Sequence, residues 1–254
     1  MNSSNNNTQQ AHSARRIAGW AGVLAAPFGL FNIISFLTVT GGKTEALLDP
    51  AFALALPASA QALFTVSMVV DALGFYLLPA MLALHLASRV PAEHAARAAP
   101  ALPCILVYAV LGILGALLQM AALPALAAAQ TAGVAGAASA WTAIVCVAQG
   151  GFWWFQMLPF AIAALCLGPT LRAAGFGFGR TLTTTGWMSL VYWVLSFPGL
   201  AERVPAAGMA AELIGLVILL TVLCWSLLSG WALLGKEDGP LSSSAGDSAR
   251  RSAV

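Results

Sequence analysis

Long apolar runs separated by short polar segments make up most of the chain. Six runs are mostly apolar over about 20 residues, the length that a helix needs to cross the roughly 30 Å hydrocarbon core of a bilayer. The fifth of these runs is the shortest. The pattern therefore predicts an all-α fold, a polytopic membrane helix bundle with six transmembrane helices. The predicted spans are Ile17–Val39, Ala62–Ala87, Ala101–Leu123, Ala140–Leu167, Leu182–Gly199 and Met209–Leu234.

The basic residues between these runs predict the orientation of the bundle. With six spans, nine of the eleven lysines and arginines fall on one side, and the other side holds only Lys43 and Arg203. Because cytoplasmic loops carry an excess of Lys and Arg, we expect both termini to be cytoplasmic. This arrangement fits a multi-pass protein of the cell inner (cytoplasmic) membrane. The nine residues are Arg15, Arg16, Arg89, Arg97, Arg172, Arg180, Lys236, Arg250 and Arg251.

Composition agrees with a lipid environment. Hydrophobic residues make up 60% of the chain and charged residues only 8%, with a mean hydropathy of +0.86. Soluble domains carry about 25% charged residues. A net charge of +2 without a basic stripe outside the loops argues against nucleic acid as a partner. The expected surrounding is the lipid bilayer.

The two ends differ in composition from the apolar middle. Asn and Gln are frequent in the first ten residues, and Ser is frequent near the other end. Such segments bury too little apolar surface to fold alone. We expect a disordered polar N-terminus at 1–14, a six-helix transmembrane domain at 15–236 and a disordered C-terminal tail at 237–254. A cleaved signal peptide is the alternative for the first apolar run, but that run continues past Pro27 to Val39.

One carboxylate, Asp71, lies inside the second predicted span, in the segment SMVVDALGFYLLPAM. A charge there costs at least ~2.5–3.5 kcal/mol on insertion scales, so it should face protein or water rather than lipid. Ser67, Gly74 and Phe75 share its helix face. Small and polar residues let a neighbouring helix approach closely. We therefore expect Asp71 to point into the bundle.

Other spans carry polar or aromatic side chains at a similar depth. If odd spans run outward and even spans inward, most of these side chains lie roughly 6–14 Å below the outer surface, at ~1.5 Å per residue. With Asp71 they predict a polar layer in the outer half of the bundle, a candidate site for ligand binding or ion coupling. Its other members are Asn32, Gln119, Gln149, Tyr192, Glu212 and Trp153.

Two prolines lie next to this layer. Pro79 removes a backbone hydrogen bond to the carbonyl of Phe75, and Pro159 does the same for Phe155. Each proline predicts a kink and a freed carbonyl, which either lines a cavity or is satisfied by a tertiary contact. Trp153, deep in the fourth span, either lines a ligand cavity or packs against glycine. Trp20, Trp141 and Trp231 are expected at the membrane interface.

The polar layer is compatible with three interpretations. In the first, it is structural: its side chains join helices through hydrogen bonds worth ~0.6 kcal/mol each, and Asp71 stays protonated. In the second, the protein is a small transporter or ligand-binding membrane protein in which Asp71 couples a proton or cation. In the third, it is a non-catalytic accessory or interaction subunit, and its partner is a second copy or another membrane protein.

Catalysis is not predicted. The spans contain no lysine, and His85 lies at the end opposite to the polar layer. The four cysteines are far apart, and none shares a helix face with a histidine, so we expect no metal, cofactor or catalytic residue. The cysteines are Cys104, Cys146, Cys166 and Cys224.

Three segments resemble a family of uncharacterised bacterial integral membrane proteins, grouped as a domain of unknown function. They are RRIAG at the start of the first span, VVDALGFYLLPAMLALHLASRV in the second, and MAAELIGLVILLTVLCWSLLSGWALL in the sixth. The resemblance covers most of the chain and implies a multi-helix membrane bundle. The arginine and glutamate that the family pattern places in the third span are absent here.

Overall fold

The computed structural model describes residues 2–197 and 200–235, and this part of the chain is helical without any strand. Short 3-10 turns at Thr44–Leu48 and Ala92–His94 lie in two of the connections. The helices are α1 (Asn2–Thr40), α2 (Pro50–Leu54), α3 (Ala58–Ala87), α4 (Ala95–Ala98), α5 (Ala101–Thr131), α6 (Ala137–Ala173), α7 (Gly179–Leu195), α8 (Leu200–Arg203) and α9 (Pro205–Gly235).

Five of these helices are long and apolar enough to cross a membrane: α1, α3, α5, α6 and α9. Their outward faces carry exposed large apolar side chains, such as Leu114 and Leu213. Such faces fit lipid contact. The fifth predicted span corresponds to α7, which has 17 residues. At ~1.5 Å per residue α7 is about 25 Å long, which is shorter than the roughly 30 Å hydrocarbon core of a bilayer.

The six longest helices pack as a closed ring. Each contacts the next along the chain, and α9 contacts α1. Glycines make two of these contacts very close. A Cβ at Gly22 of α1 would lie 2.6 Å from the carbonyl oxygen of Ser226 on α9, and a Cβ at Gly74 of α3 would lie 2.6 Å from the backbone nitrogen of Gly29 on α1. Substitution with any larger residue would force these helices apart.

Helices α3 and α6 each contain a π-helical segment. It spans Ala72–Leu77 in α3, directly after Asp71, and Cys146–Trp153 in α6. A proline follows each segment, Pro79 in α3 and Pro159 in α6, and both are predicted to kink their helices. Both helices therefore depart from regular α-helical hydrogen bonding beside the predicted polar layer.

The first helix differs from the sequence expectation. Residues 1–14 are expected to be disordered, but α1 begins at Asn2 and is continuous to Thr40. Helix propagation from the apolar part accounts for this, because each added residue gains one backbone hydrogen bond at little cost. Arg89 also donates from Nη2 to the carbonyl of Ala11 at 3.4 Å. The predicted C-terminal tail at 237–254 lies outside the described residues.

The connection between α1 and α3 closes one end of the bundle. Asp49 caps α2 by accepting a hydrogen bond from the backbone N–H of Ala51. Trp141 of α6 donates from its indole to the carbonyl of Leu47 at 2.9 Å and is fully buried. Trp141 is therefore covered by this connection and is not exposed on the outside of the bundle, and its depth in the membrane stays a prediction. Trp20 and Trp231 are more than half exposed.

Candidate functional site

Asp71 lies at the contact between α1 and α3, with 7% of its surface exposed. Asn32 Nδ2 donates to Asp71 Oδ1. Ser67 Oγ, one turn before Asp71, donates to Asn32 Oδ1 at 3.2 Å. The small residues Gly29 and Gly74 allow the two helices to approach closely enough for these bonds. As expected from the helix face, Asp71 points into the bundle.

The second carboxyl oxygen of Asp71 is buried and has no hydrogen-bond partner among the described residues. An ionised carboxylate in an apolar surrounding is costly unless it is paired and fully hydrogen-bonded. Asn32 satisfies only one of its two oxygens. The Oδ2 atom is therefore the unpartnered polar atom at the contact between α1 and α3.

A second pair of predicted residues joins α5 and α6. Gln149 Nε2 donates to Gln119 Oε1 at 2.9 Å, and Gln119 Nε2 donates to the carbonyl of Gly115 at 3.2 Å. Trp153 lies beside this pair. Its indole donates to the carbonyl of Gly112 at 3.2 Å, and its ring fills the space where a Gly115 Cβ would stand. The geometry agrees with the packing alternative for Trp153.

The middle of the bundle holds a polar group that is not among the candidate site residues. Gln156 Nε2 donates to the hydroxyl of Tyr76 at 3.2 Å, which joins α3 to α6. Gln156 Oε1 is buried without a hydrogen-bond partner among the described residues. Tyr108 of α5 donates to the carbonyl of Phe75 at 3.0 Å. The carbonyl that Pro79 frees is thus satisfied by a tertiary contact.

Two predicted residues lie away from these groups. Tyr192 of α7 packs against α9, where a Cβ at Gly215 would lie 3.0 Å from its ring. Glu212 is on the exposed face of α9. The structure therefore does not bring Tyr192 or Glu212 into hydrogen bonding with Asp71, and the predicted layer divides into separate pairs.

Two cavities lie near the polar groups. A surface groove of about 470 Å³ opens between α1, α2 and α3, and is lined by Thr38, Phe52, Ser59 and Leu63 among others. Leu63 precedes Asp71 by about two turns of α3, which is about 12 Å along the helix. An internal cavity of about 30 Å³ lies deeper, between Tyr108, Phe160 and Trp225. It has room for about one water molecule.

Fold and site together define a class: an all-α helix bundle, with several helices able to cross a membrane and hydrogen-bonded polar side chains between them. No family model, curated protein or solved structure matches this chain. The resemblance to the uncharacterised bacterial membrane family stays a prediction.

Proposed function

We propose that this chain is a small transporter or ligand-binding protein of the cell inner membrane, in which Asp71 couples a proton or cation to the bound solute. The buried Oδ2 atom of Asp71, which lacks a protein partner among the described residues, carries this proposal. In the free protein the carboxyl holds a proton, which a cation displaces. Intramembrane carboxylates commonly mark such pathways.

The proposed topology has six crossings, with both termini in the cytoplasm. The excess of Lys and Arg on one side supports this orientation. Helix α7 crosses as the sixth span. Its length of about 25 Å falls short of the roughly 30 Å core, a mismatch that local bilayer thinning accommodates at modest cost.

Access to Asp71 is from the outer side. The groove between α1, α2 and α3 lies over the same pair of helices that holds Asn32 and Asp71. Its lining of hydroxyl and apolar side chains suits a small amphipathic solute. Separation of α1 and α3 by a few ångströms at this end would extend the groove to the carboxyl.

The π-helical segments of α3 and α6 support the proposal that these helices change conformation during function. Such segments occur frequently at functional sites, and here they follow Asp71 in α3 and include Gln149 in α6. Gly150 and Gly151 of the α6 segment have open space or only one distant contact where a Cβ would stand. This half of α6 can therefore shift without steric obstruction at either glycine.

The experiment is a charge-movement measurement on proteoliposomes adsorbed to a solid-supported membrane. A panel of small amines, amino acids and inorganic cations is applied by rapid solution exchange. We expect at least one solute to evoke a transient current in the wild type, and Asp71→Asn to abolish it. Glu212→Gln is the matched control, because it removes an exposed carboxylate of the bundle and should preserve the current. Equal currents in wild type and Asp71→Asn would refute coupling by Asp71.

A second candidate function is an accessory or interaction subunit with a structural polar layer. The observation that favours it is that Asn32–Asp71, Gln119–Gln149 and Tyr76–Gln156 each join two different helices. Its partner is another copy or another membrane protein. Mild-detergent purification after cross-linking in the native membrane tests this function. A chain that always migrates as an uncross-linked monomer would exclude it.

A further inference from the structure

Several polar side-chain atoms inside the bundle are buried and have no hydrogen-bond partner among the described residues. Among them are Asp71 Oδ2 of α3, Gln156 Oε1 of α6, and Trp225 Nε1 and Ser229 Oγ of α9. A buried polar atom without a partner is costly, and buried water commonly supplies the missing hydrogen bond. These atoms therefore indicate where water fits inside the bundle.

The first step inward leads from Asp71 to Tyr76 on the same helix. Asp71 directly precedes the π-helical segment Ala72–Leu77. Because a π-helical turn joins residues five apart, Tyr76 lies about one turn from Asp71 on nearly the same helix face. The Tyr76 hydroxyl accepts a hydrogen bond from Gln156 Nε2 at 3.2 Å and still has its own proton to donate. Tyr76 thus connects the helix face of Asp71 with Gln156.

An aromatic contact leads from Tyr76 to the internal cavity of about 30 Å³. The ring centroids of Tyr76 and Tyr108 are 5.3 Å apart, and Tyr108 lines the cavity together with Pro79 and Trp225. Pro79 follows Asp71 by eight residues, about 12 Å along α3. The cavity has room for about one water molecule. The unpartnered indole N–H of Trp225 gives such a water molecule a hydrogen-bond donor.

The series of unpartnered atoms continues along α9, away from the groove between α1, α2 and α3 (the outer groove). Ser229 is fully buried and follows Trp225 by four residues, so the two share a helix face. It precedes the end of α9 at Gly235 by six residues, about 9 Å. This end of α9 lies opposite to the outer groove, because Leu234 packs against Gly19 in the first half of α1.

We propose that protons move between Asp71 and the end of the bundle opposite to the outer groove, along Tyr76, the internal cavity and Ser229. This inference rests on the proposed function, because a proton displaced from the Asp71 carboxyl leaves along this path. Hydroxyl groups donate and accept hydrogen bonds, so Tyr76, Ser229 and bridging water molecules each pass a proton on. In each step one O–H bond breaks and another forms, without electron transfer. Gln156 and Trp225 orient the water, and the coupled ion is a proton.

Proton uptake into proteoliposomes tests the path. The full-length protein is reconstituted with a pH-sensitive dye trapped inside, and a potassium gradient with valinomycin drives protons inward. We expect the wild type to acidify the interior faster than protein-free liposomes do. Ser229→Val should slow this uptake about tenfold or more, because it removes the hydroxyl and leaves neither donor nor acceptor in its place. Asp71→Asn should abolish the uptake.

Ser229→Thr is the matched control, because threonine has nearly the size of valine and keeps the hydroxyl. It should retain most of the wild-type uptake. Trp225→Phe keeps an aromatic ring but loses the indole N–H, so it should slow uptake as well. Rates are compared per folded protein, which size-exclusion chromatography of the same preparations measures.

Equal uptake by Ser229→Val and Ser229→Thr would overturn the path, as would wild-type uptake no faster than that of protein-free liposomes. The solute-evoked current separates these results from the proposed function. A wild type that takes up protons but gives no current with any solute would retain the path and refute coupling. A wild type that gives a current but takes up no protons would overturn the path alone.

Discussion

At the residue scale, the central feature is the Asp71 carboxyl group, in which only one of the two oxygens accepts a hydrogen bond from the described residues. Both polar atoms of the Asn32 side chain are hydrogen-bonded. Its Nδ2 donates to Asp71, and its Oδ1 accepts from Ser67. Asp71 Oδ2 accepts no hydrogen bond from the described residues. In an apolar surrounding, an unsatisfied buried polar atom costs about 1–3 kcal/mol.

This asymmetry predicts different effects for the two partners. Asn32→Ala removes the donor to Asp71 and the acceptor of Ser67, so the free energy of unfolding should fall by about 1–2 kcal/mol. Asp71→Asn keeps an oxygen that can accept from Asn32, so its loss should stay below about 1 kcal/mol. Reversible unfolding in mixed micelles, followed by tryptophan fluorescence, measures both. Equal or reversed losses would contradict the hydrogen-bond assignment.

The sequence predicts which polar side chains face inward better than it predicts how they group. Helical spacing placed Asp71 and Asn32 inward, because one buried stripe per helix follows from the period alone. It also placed Tyr192 and Glu212 in the same layer, although their side chains belong to the α7–α9 side of the ring. Depth along a helix can be read from a sequence, whereas rotation about the helix axis depends on the neighbouring helices.

At the element scale, close contacts at glycine hold the helices in register. Gly74 of α3 meets the backbone of Gly29 on α1, directly beside the Asp71–Asn32 bond. A backbone contact cannot relax by side-chain rotation. The polar bond and the glycine contact therefore depend on the same approach of the two helices.

Gly74→Ala should separate α1 from α3. A Cβ at 2.6 Å from backbone atoms forces a shift, and overpacking of this kind typically costs about 1–3 kcal/mol. Gly150→Ala is the control, since nothing lies within 4 Å of its added Cβ, and it should be neutral or slightly stabilising. Thermal unfolding of both variants in the same detergent is the measurement. A destabilisation by Gly150→Ala that matches Gly74→Ala would contradict the packing argument.

The Phe75 carbonyl of α3, which Pro79 cannot bond, accepts a hydrogen bond from a tyrosine of α5. Pro79 cannot donate to the carbonyl of Phe75, and Tyr108 donates to it instead. The freed carbonyl follows from the position of Pro79 in the sequence. Its partner could not be predicted, because Tyr108 is thirty-three residues away and its pairing depends on the tertiary arrangement of α3 and α5.

A double-mutant cycle tests this pairing. Tyr108→Phe alone should cost about 1–2 kcal/mol, because it leaves the Phe75 carbonyl unsatisfied in a buried site. In a Pro79→Ala background the new N–H can donate to that carbonyl, so Tyr108→Phe should cost less there. Unfolding free energies of the four proteins give the coupling. Additive effects of the two changes would contradict the exchange of donors.

At the scale of the whole molecule, the ring of six helices predicts an even number of crossings. Helix α9 packs against α1, so the ring closes with its first and last members side by side. Five of its members are long and apolar enough to cross. Gly19 near the start of α1 lies against Leu234 near the end of α9, and Gly29 lies against Leu223, so these two helices are antiparallel and six crossings require α7 to be one of them.

Single cysteines in a cysteine-free background test the topology. Lys43→Cys and Arg203→Cys should react with a membrane-impermeant maleimide added outside intact cells. Ser88→Cys and Arg180→Cys should react only after permeabilisation, because α7 would place Arg180 and Arg203 on opposite sides. Labelling of the positions 180 and 203 from the same side would contradict a crossing by α7.

Proton exchange at Asp71 tests the central claim most directly. Infrared difference spectroscopy of wild type against Asp71→Asn, in lipid vesicles, isolates the carboxylic acid band of this one side chain. Transfer to D₂O should shift that band within minutes, because the proposed separation of α1 and α3 would let water from the outer groove reach the Asp71 oxygen. A band that is absent, or unshifted after hours in D₂O, would contradict a coupling carboxyl and leave Asp71 a structural residue.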